Sequence, residues 1–123
     1  SGDKWFFEVV DEKTVRALTP DFAALRQRKG RALVVTAPSD LPGIDFVSRY
    51  FAPWIGIDED PVTGSAHCML GPYWSRKLRK NYLVGYQASA RGGTVHVRVS
   101  ADRTYVAGQA VTVFAGKLMQ GHF

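Results

Sequence analysis

The spacing of apolar residues in the first half of the chain predicts three strands. Residues 5–10 are rich in aromatic and β-branched side chains, which is typical of a strand. Residues 32–37 form a continuous apolar run between a glycine and a proline and predict a buried strand. Residues 44–51 alternate apolar and polar positions over much of their length and predict a third strand.

The same pattern predicts helices of very different lengths. Asp11 and Asp21 are expected to cap two short helices over residues 12–18 and 22–27. Residues 63–78 predict the longest helix, since apolar side chains recur there at helical spacing. These apolar residues are Ala66, Met69, Leu70, Tyr73 and Leu78.

A proline inside the long helix and a loop before it complete the prediction for this segment. Pro72 lies inside it and is expected to kink it, because proline lacks the N–H that a helix interior needs. Residues 53–61 predict a loop that leads into the helix.

The last third of the chain predicts strands only. We expect them over residues 83–88, 94–100, 104–108 and 109–118, because β-branched residues alternate with polar ones between glycine-containing turns. Strands around one long helix indicate an α+β fold, and the 123 residues suit a single domain spanning residues 1–123.

Charge and cysteine content narrow the classes of function. The net charge is +5, and the basic residues gather at residues 26–31 and 76–80. Both groups fall at expected helix ends, where cations complement the helix dipole, so we expect no nucleic-acid partner; a polyanion-binding face is the alternative. No apolar run approaches a membrane span, so no membrane partner is expected. A single cysteine suits a reducing compartment and predicts a cytoplasmic location.

Asp60 is the first candidate for chemistry. It precedes Pro61, which restricts it to extended conformations and presents its carboxylate where the loop becomes the long helix. Free N–H groups at a helix start favour an anion, and a carboxylate beside them can transfer a proton. The three carboxylates of residues 58–60 would raise one another's pKa if they lay close together. The alternative is a loop aspartate that interacts only with the helix dipole.

The residues after Pro61 supply donors. Thr63 and Ser65 carry hydroxyls, which either bind a ligand or cap the helix, and capping is the commoner use. Gly64 would let the backbone approach a ligand closely. The chain has no phosphate-binding loop of the GxxxxGK type, so nucleotide binding is not indicated.

His67 and Cys68 follow within the first turns of the helix. His67 is a ligand contact, an acid or base, or a packing residue, and packing is the favoured interpretation. Cys68 is expected to be buried and inert. These two residues cannot fill the coordination shell of zinc, and neither His96 nor His122 is spaced to join them, so no metal site is expected.

Arg91 stands in a glycine-rich turn with two interpretations. Its guanidinium could bind a substrate carboxylate, or it could be an exposed residue of a hairpin turn.

Together these segments resemble one family, the PhzF-type phenazine-biosynthesis-like proteins, which are relatives of diaminopimelate epimerase. The central motif is Asp-Glu-Asp-Pro-Val-Thr-Gly-Ser-Ala-His at residues 58–67, followed by Leu-Gly-Pro-Tyr-Trp at residues 70–74. Flanking matches occur in order at residues 46–53, 89–93 and 107–113.

The resemblance implies a fold of two similar halves. Each half is a curved, mostly antiparallel sheet wrapped around one long central helix, and the two helices point their N-termini into a shared cleft. This chain resembles the second half only. The resemblance implies that Asp60, Gly64 and Ser65 line the cleft and that backbone amides and the serine hold a substrate carboxylate.

The same resemblance implies chemistry without a cofactor. In the PhzF-type branch the main acid/base is a glutamate of the first half, which no residue here can replace. The epimerases instead use a cysteine beside the equivalent helix start. Pro61 occupies that place here, so Cys68 does not inherit its role.

We therefore expect the substrate-binding half of a PhzF-like isomerase that moves a proton on a small carboxylic acid. It would work with a complementary N-terminal half or as a homodimer. The expected catalytic residue is Asp60. The expected substrate-binding residues are Thr63, Gly64, Ser65, Ala66, His67 and Arg91. The alternative is a catalytically inactive ligand-binding or protein-interaction module that uses Phe51, Trp54 and Tyr73 as a contact face.

Overall fold

A computed structural model describes residues 3–121, and its strands form a single seven-stranded sheet. The order is β1-β2-β3-β5-β6-β7, and β4 pairs with β3 beside this path. The strands are β1 Lys4–Glu8, β2 Ala32–Pro38, β3 Phe46–Ala52, β4 Ile57–Glu59, β5 Tyr82–Gln87, β6 Gly93–Val99 and β7 Thr104–Ala107. The helices are α1 Glu12–Ala17, α2 Phe22–Arg26 and α3 Gly64–Leu78.

The sheet is mixed. β1 runs parallel to β2, and β3 runs parallel to β5. The β2–β3, β3–β4, β5–β6 and β6–β7 pairs are antiparallel. The mixed sheet with its three helices confirms the predicted α+β class.

Strand β3 is buried on both of its faces, since successive side chains of a strand point to opposite sides. Phe46 and Tyr50 belong to the core cluster that contains Leu70 and Trp74 of α3. Val47 and Phe51 belong to a second cluster that contains Val15 of α1. Helices therefore cover both faces of the sheet: α3 packs on the β5–β7 side and α1 on β2 and β3.

Helix α3 approaches the sheet closely at Gly71. A Cβ atom at this position would lie 2.7 Å from Val97 Cγ1 and 3.1 Å from Thr104 Cγ2. The helix continues without interruption from Gly64 through Pro72 and ends at Arg79, whose φ of 54° is left-handed. The contact at Gly71 fixes how α3, and hence its first turn, sits on the sheet.

Two of the elements predicted from the sequence differ from the structure. The predicted loop at residues 53–61 contains the short strand β4 and a 3-10 turn, Pro53–Ile55. The predicted strand at residues 109–118 is wrong, because the chain leaves the sheet after β7 and residues 108–121 have no regular secondary structure. A strand needs a neighbouring strand to bond its backbone, and nothing in residues 3–121 pairs with this segment.

We call residues 109–121 the tail. Its large apolar side chains are between 81% and 97% exposed: Val111, Val113, Phe114, Leu118 and Met119. Of the contact face expected from Phe51, Trp54 and Tyr73, Phe51 is fully buried, whereas Trp54 and Tyr73 are half-buried. Exposed apolar side chains also occur outside the tail, for example Val10, Ile55 and Tyr82.

None of the helices within residues 3–121 is both long and apolar enough to cross a membrane.

Candidate functional site

Helix α3 begins with free backbone donors. The N–H of Thr63, its N-cap residue, donates to Gln87 Oε1 at 2.7 Å. No side chain within residues 3–121 caps the N–H groups of Gly64, Ser65 and Ala66. We call these three amides the mouth. Gly64 and Ser65 are exposed, and a Cβ added to Gly64 would meet nothing within 4 Å. The mouth is therefore an unobstructed set of backbone donors, and donors at a helix start favour anions.

Asp60 lies half-buried beside the mouth. Its Oδ2 atom accepts a hydrogen bond from Thr63 Oγ1 at 2.5 Å, and its backbone N–H donates to the Tyr50 carbonyl at 3.0 Å. Its Oδ1 atom makes no hydrogen bond with any residue in the described part of the chain, so one carboxylate oxygen is available to a ligand.

The other two carboxylates of the motif face away from Asp60. Glu59 forms a two-point ion pair with Arg49, at 2.9 Å to Nε and 2.8 Å to Nη2. Asp58 pairs with Arg26 at 3.3 Å on the surface. Each carboxylate thus has its own partner, and the three do not form the cluster that adjacent numbering suggested.

Gln87 is the site residue that the sequence did not reveal. It is fully buried at the end of β5. Its Nε2 donates to the Asp60 carbonyl at 2.8 Å and to Thr63 Oγ1 at 3.1 Å, while its Oε1 accepts from the Thr63 N–H. The only sequence signal is its phase, because Gln87 falls on the same face of β5 as the buried residues Leu83 and Gly85.

His67 packs in the core behind the first turn of α3 and contacts its N-cap residue. It is fully buried, and its Nδ1 lies 2.7 Å from the Thr63 carbonyl. A carbonyl can only accept, so Nδ1 carries the proton of the ring. Burial lowers the pKa of His67, and the bond to Thr63 opposes that shift only in part. His67 is therefore a neutral packing residue, and its Nε2 has no partner among the described residues. Ala66 is also buried, so only its backbone N–H reaches the mouth.

Arg91 lies in the exposed turn between β5 and β6, close in space to the segment before α3. Ser89 Oγ in this turn donates to the Pro61 carbonyl at 2.7 Å and accepts from the Gly92 N–H at 3.0 Å. Gly92 has a φ of 73°, and a Cβ there would lie 2.1 Å from the Tyr86 hydroxyl. The turn thus needs glycine, and the Ser89 hydrogen bond ties it to the segment that follows Asp60.

The prediction that Cys68 is buried is wrong, because the residue is exposed. At helical spacing it shares a side of α3 with Gly64, Ser65 and Pro72, whereas Ala66, Leu70 and Trp74 face the sheet. Within residues 3–121, no three His, Cys, Asp or Glu side chains are grouped so that they could hold a metal ion. His122 lies outside the described residues.

The chain is similar to several longer proteins. It is 46% identical over 115 residues to a protein of Halalkalibacterium halodurans named as an uncharacterised isomerase, and this match covers 94% of the chain and 43% of the relative. It is 47% identical over 123 residues to phenazine biosynthesis-like domain-containing protein 1 of Mus musculus, covering 96% of the chain and 41% of the relative. The chain thus spans less than half the length of these relatives.

Solved structures agree with these matches. A putative phenazine biosynthesis PhzC/PhzF protein of Clostridium difficile superposes with a TM-score of 0.83 at 39% identity, covering 97% of the chain and 46% of that structure. A PhzF-family protein of Enterococcus faecalis superposes with a TM-score of 0.79 at 46% identity, covering 84% of the chain and 39% of that structure. The family model of the phenazine biosynthesis-like proteins, PhzC-PhzF, matches residues 1–116. The resemblance read from the sequence is confirmed, and the chain belongs to this family.

Proposed function

We propose that this chain is the substrate-binding half of an isomerase that moves a proton on a small carboxylic acid. The observation that carries the proposal is the open mouth next to the free Oδ1 of Asp60. The similarity to proteins named as isomerases supports the reaction class.

In this proposal the mouth binds the substrate carboxylate. The amides of Gly64, Ser65 and Ala66 point their N–H groups at it, and the exposed Ser65 hydroxyl adds another donor. Arg91 could pair with the same anion from the neighbouring turn. Thr63 and His67 act from behind the mouth, because the Thr63 hydroxyl binds Asp60 and His67 binds the Thr63 carbonyl.

Asp60 is the proposed proton carrier. A carboxylate takes a proton from a carbon next to the substrate's acid group, and the electron pair of the broken C–H bond delocalises towards that group. The proton is then returned to the same or another carbon. The mouth favours this step, since its donors stabilise negative charge that develops on the bound acid. No cofactor takes part in the scheme.

A second wall completes the proposed cleft. The chain covers only 46% of the Clostridium difficile structure and 39% of the Enterococcus faecalis structure, and its tail exposes a row of apolar side chains. The exposed side of α3 also begins at the mouth, at Ser65 and Cys68. We propose that a complementary half or a second copy of the chain covers these surfaces. Each half of the assembled protein would then be a sheet that curves around its own central helix, which is α3 in this chain.

Proton exchange in deuterated buffer tests this function. We expect a panel of 2-amino and cyclic carboxylic acids to contain a ligand whose C–H bond gains solvent deuterium in the presence of the assembled protein. Asp60→Asn should reduce deuterium uptake by about 100-fold or more while the ligand still binds, because it removes the base and leaves the mouth intact. Mass spectrometry measures the uptake, and Asp58→Asn, which changes a carboxylate paired with Arg26, is the control. Equal uptake by Asp60→Asn and the unchanged protein would rule out the proposed role.

A binding module without turnover is the second candidate. It is favoured by the absence of a second free carboxylate at the mouth, since Glu59 and Asp58 are both paired with arginines in the described structure. This candidate predicts ligand binding without deuterium uptake under all conditions. Light scattering after size exclusion separates the models further, because a chain that stays monomeric at high concentration cannot form a self-paired cleft.

A further inference from the structure

All hydrogen bonds of the Gln87 side chain are made with the segment that carries the site. Its Oε1 accepts from the Thr63 N–H, and its Nε2 donates to the Asp60 carbonyl and to Thr63 Oγ1. The orientation of the amide is unambiguous, because a flipped group would place Nε2 against another N–H donor. Both N–H bonds and the carbonyl of this fully buried amide are therefore used.

These bonds also set the direction of the Thr63 hydroxyl. Thr63 Oγ1 accepts a hydrogen bond from Gln87 Nε2, so its own hydrogen is free to point at Asp60 Oδ2, 2.5 Å away. A chain of two hydrogen bonds thus runs from Gln87 through Thr63 to Asp60. It occupies Oδ2 and leaves Oδ1 without a hydrogen bond to any of the described residues.

We propose that Gln87 is a positioning residue that sets both parts of the site, the mouth through the Thr63 N–H and the Asp60 carboxylate through the Thr63 hydroxyl. The part of this inference that concerns binding of a carboxylate rests on the proposed function. The hydrogen bonds of Gln87 do not depend on it. Gln87 touches no substrate and acts only through Asp60 and Thr63.

The chemistry of the position supports a role beyond packing. Burying an amide removes its contacts with water, and that cost is offset only when its polar atoms find partners. Leu83 and Gly85 fill the same face of β5 without polar side chains. At Gln87 the amide is bonded to the loop before α3 and not to a neighbouring strand, so what it stabilises is the conformation of residues 60–63.

Two variants and a control test the proposal in the full chain. Gln87→Leu keeps the approximate volume and removes every hydrogen bond of the amide. Gln87→Glu keeps an acceptor for the Thr63 N–H but, when ionised, cannot donate. Gln109→Leu is the control, because it makes the same glutamine-to-leucine change at an exposed position in the tail.

Hydrogen exchange and a benzoate titration, both followed by NMR, give the readouts. Gln87→Leu should accelerate exchange of the Thr63 amide by at least about tenfold, the factor expected for one lost hydrogen bond, while exchange of the Trp74 amide in the core stays unchanged. It should also weaken benzoate binding at the amides of Gly64, Ser65 and Ala66 by about tenfold or more. Gln109→Leu should change neither quantity.

The pH profile of Gln87→Glu separates positioning from general stability. Burial and the neighbouring Asp60 carboxylate should raise the pKa of the introduced carboxyl group, so its neutral form returns as pH falls. In that neutral form the carboxyl group has both an acceptor for Thr63 and one O–H donor, which can reach the Asp60 carbonyl. Benzoate binding should therefore be weak at pH 8 and recover several-fold towards pH 5.5, whereas the unchanged protein shows no such recovery.

The outcomes distinguish this inference from the proposed function. Unchanged Thr63 exchange in Gln87→Leu would overturn the inference whether or not benzoate binds. Equal benzoate affinity of Gln87→Leu and the unchanged protein would overturn it as well. If benzoate and the other acids of the panel leave the mouth amides of the unchanged protein unshifted, the proposed function fails, and the exchange of the Thr63 amide still decides the role of Gln87.

Discussion

At the scale of single residues, His67 shows how burial sets a charge state. The imidazole is fully buried with its Nδ1 bonded to the Thr63 carbonyl, and burial lowers its pKa. The folded protein therefore holds a neutral ring below the pH at which a free histidine would take a proton. A charged ring in this place would weaken the packing beneath the mouth.

This charge state predicts a dependence of stability on pH. The unfolded chain binds a proton at His67 as pH falls below about 6.5, and the folded chain does not, so the free energy of unfolding should fall by up to about 1.4 kcal/mol per pH unit. His67→Asn keeps an N–H donor for the Thr63 carbonyl and cannot titrate, so its curve should be flatter between pH 6.5 and 5.

Urea unfolding at a series of pH values measures this difference. His96→Asn is the matched control, since it makes the same change at an exposed position on β6. A slope that is the same for the unchanged protein and for His67→Asn would contradict the neutral buried ring.

The types of residue in the sequence indicated the candidate residues at the start of α3, but not the buried Gln87 that holds them in place. Asp60, Gly64 and Ser65 could be proposed as site candidates because proline, glycine and serine at a helix start have specific conformational and hydrogen-bonding properties. Gln87 could not, because it lies 24 residues from Thr63 in the sequence and only the folded sheet brings the two together. The expected cluster of three carboxylates at residues 58–60 failed for the same reason. Asp58 and Glu59 pair with Arg26 and Arg49, which come from other elements.

At the scale of elements, Arg49 joins three parts of the fold. Its guanidinium pairs with Glu59 of β4 and donates to the carbonyls of Val15 and Leu18 at 3.1 and 2.7 Å. It therefore holds the strand that leads into Asp60 against β3 and the end of α1.

Replacing Arg49 by lysine should lower the free energy of unfolding by about 2 kcal/mol. An ammonium group keeps the charge but cannot pair with Glu59 at two points and also reach both carbonyls, and unpaired half-buried polar groups are costly. Chemical denaturation gives the value. Arg26→Lys, in an exposed pair with Asp58, should change stability by less than about 0.5 kcal/mol. Equal effects of the two substitutions would argue against the special role of Arg49.

Gly71 limits how α3 packs on the sheet. Gly71→Ala should destabilise the fold by about 1–2 kcal/mol, because the added methyl group would overlap Val97 and Thr104, and this overpacking outweighs the gain in helix propensity. Thermal unfolding measures the loss. Gly108→Ala is the control, since its Cβ would meet nothing within 4 Å. An unchanged or higher melting temperature for Gly71→Ala would show that the helix can move away from β6 at little cost.

Periodicity predicted most elements and failed where a partner was needed. The strands at β2, β5 and β6 and the helix α3 follow from local spacing, because burial on one or both faces imposes that spacing. The tail has the composition of a strand, but a strand forms only beside another strand. Cys68 was misplaced because its apolar character suggested burial, whereas its position on the helix puts it on the exposed side.

At the scale of the whole molecule, the tail lies outside the sheet and helices that the structure describes. Its large apolar side chains are at least 81% exposed, and the sheet ends at β7. This exposure, and the coverage of less than half of the compared relatives, are the observations from which we proposed a second wall.

Removing the tail after Gly108 should leave the melting temperature of the remaining domain within about 3 °C of the full chain, the shift that a change of about 0.5 kcal/mol produces in a domain of this size. Chymotrypsin should cut first at Phe114, which is 85% exposed and lies outside the sheet. Mass spectrometry identifies the cut. Addition of a complementary half should protect Phe114 if the tail lies in the contact, and a large loss of stability on truncation would mean that the tail belongs to the core.

Cys68 gives this chain a convenient experimental property. It is the single thiol of the sequence, it is exposed, and it lies one helical turn beyond Gly64. A fluorescent dye or spin label attached there would stand at the rim of the proposed cleft without any other cysteine having to be removed. Its signal would report directly on solvent exclusion when an acid binds or when an opposing wall docks.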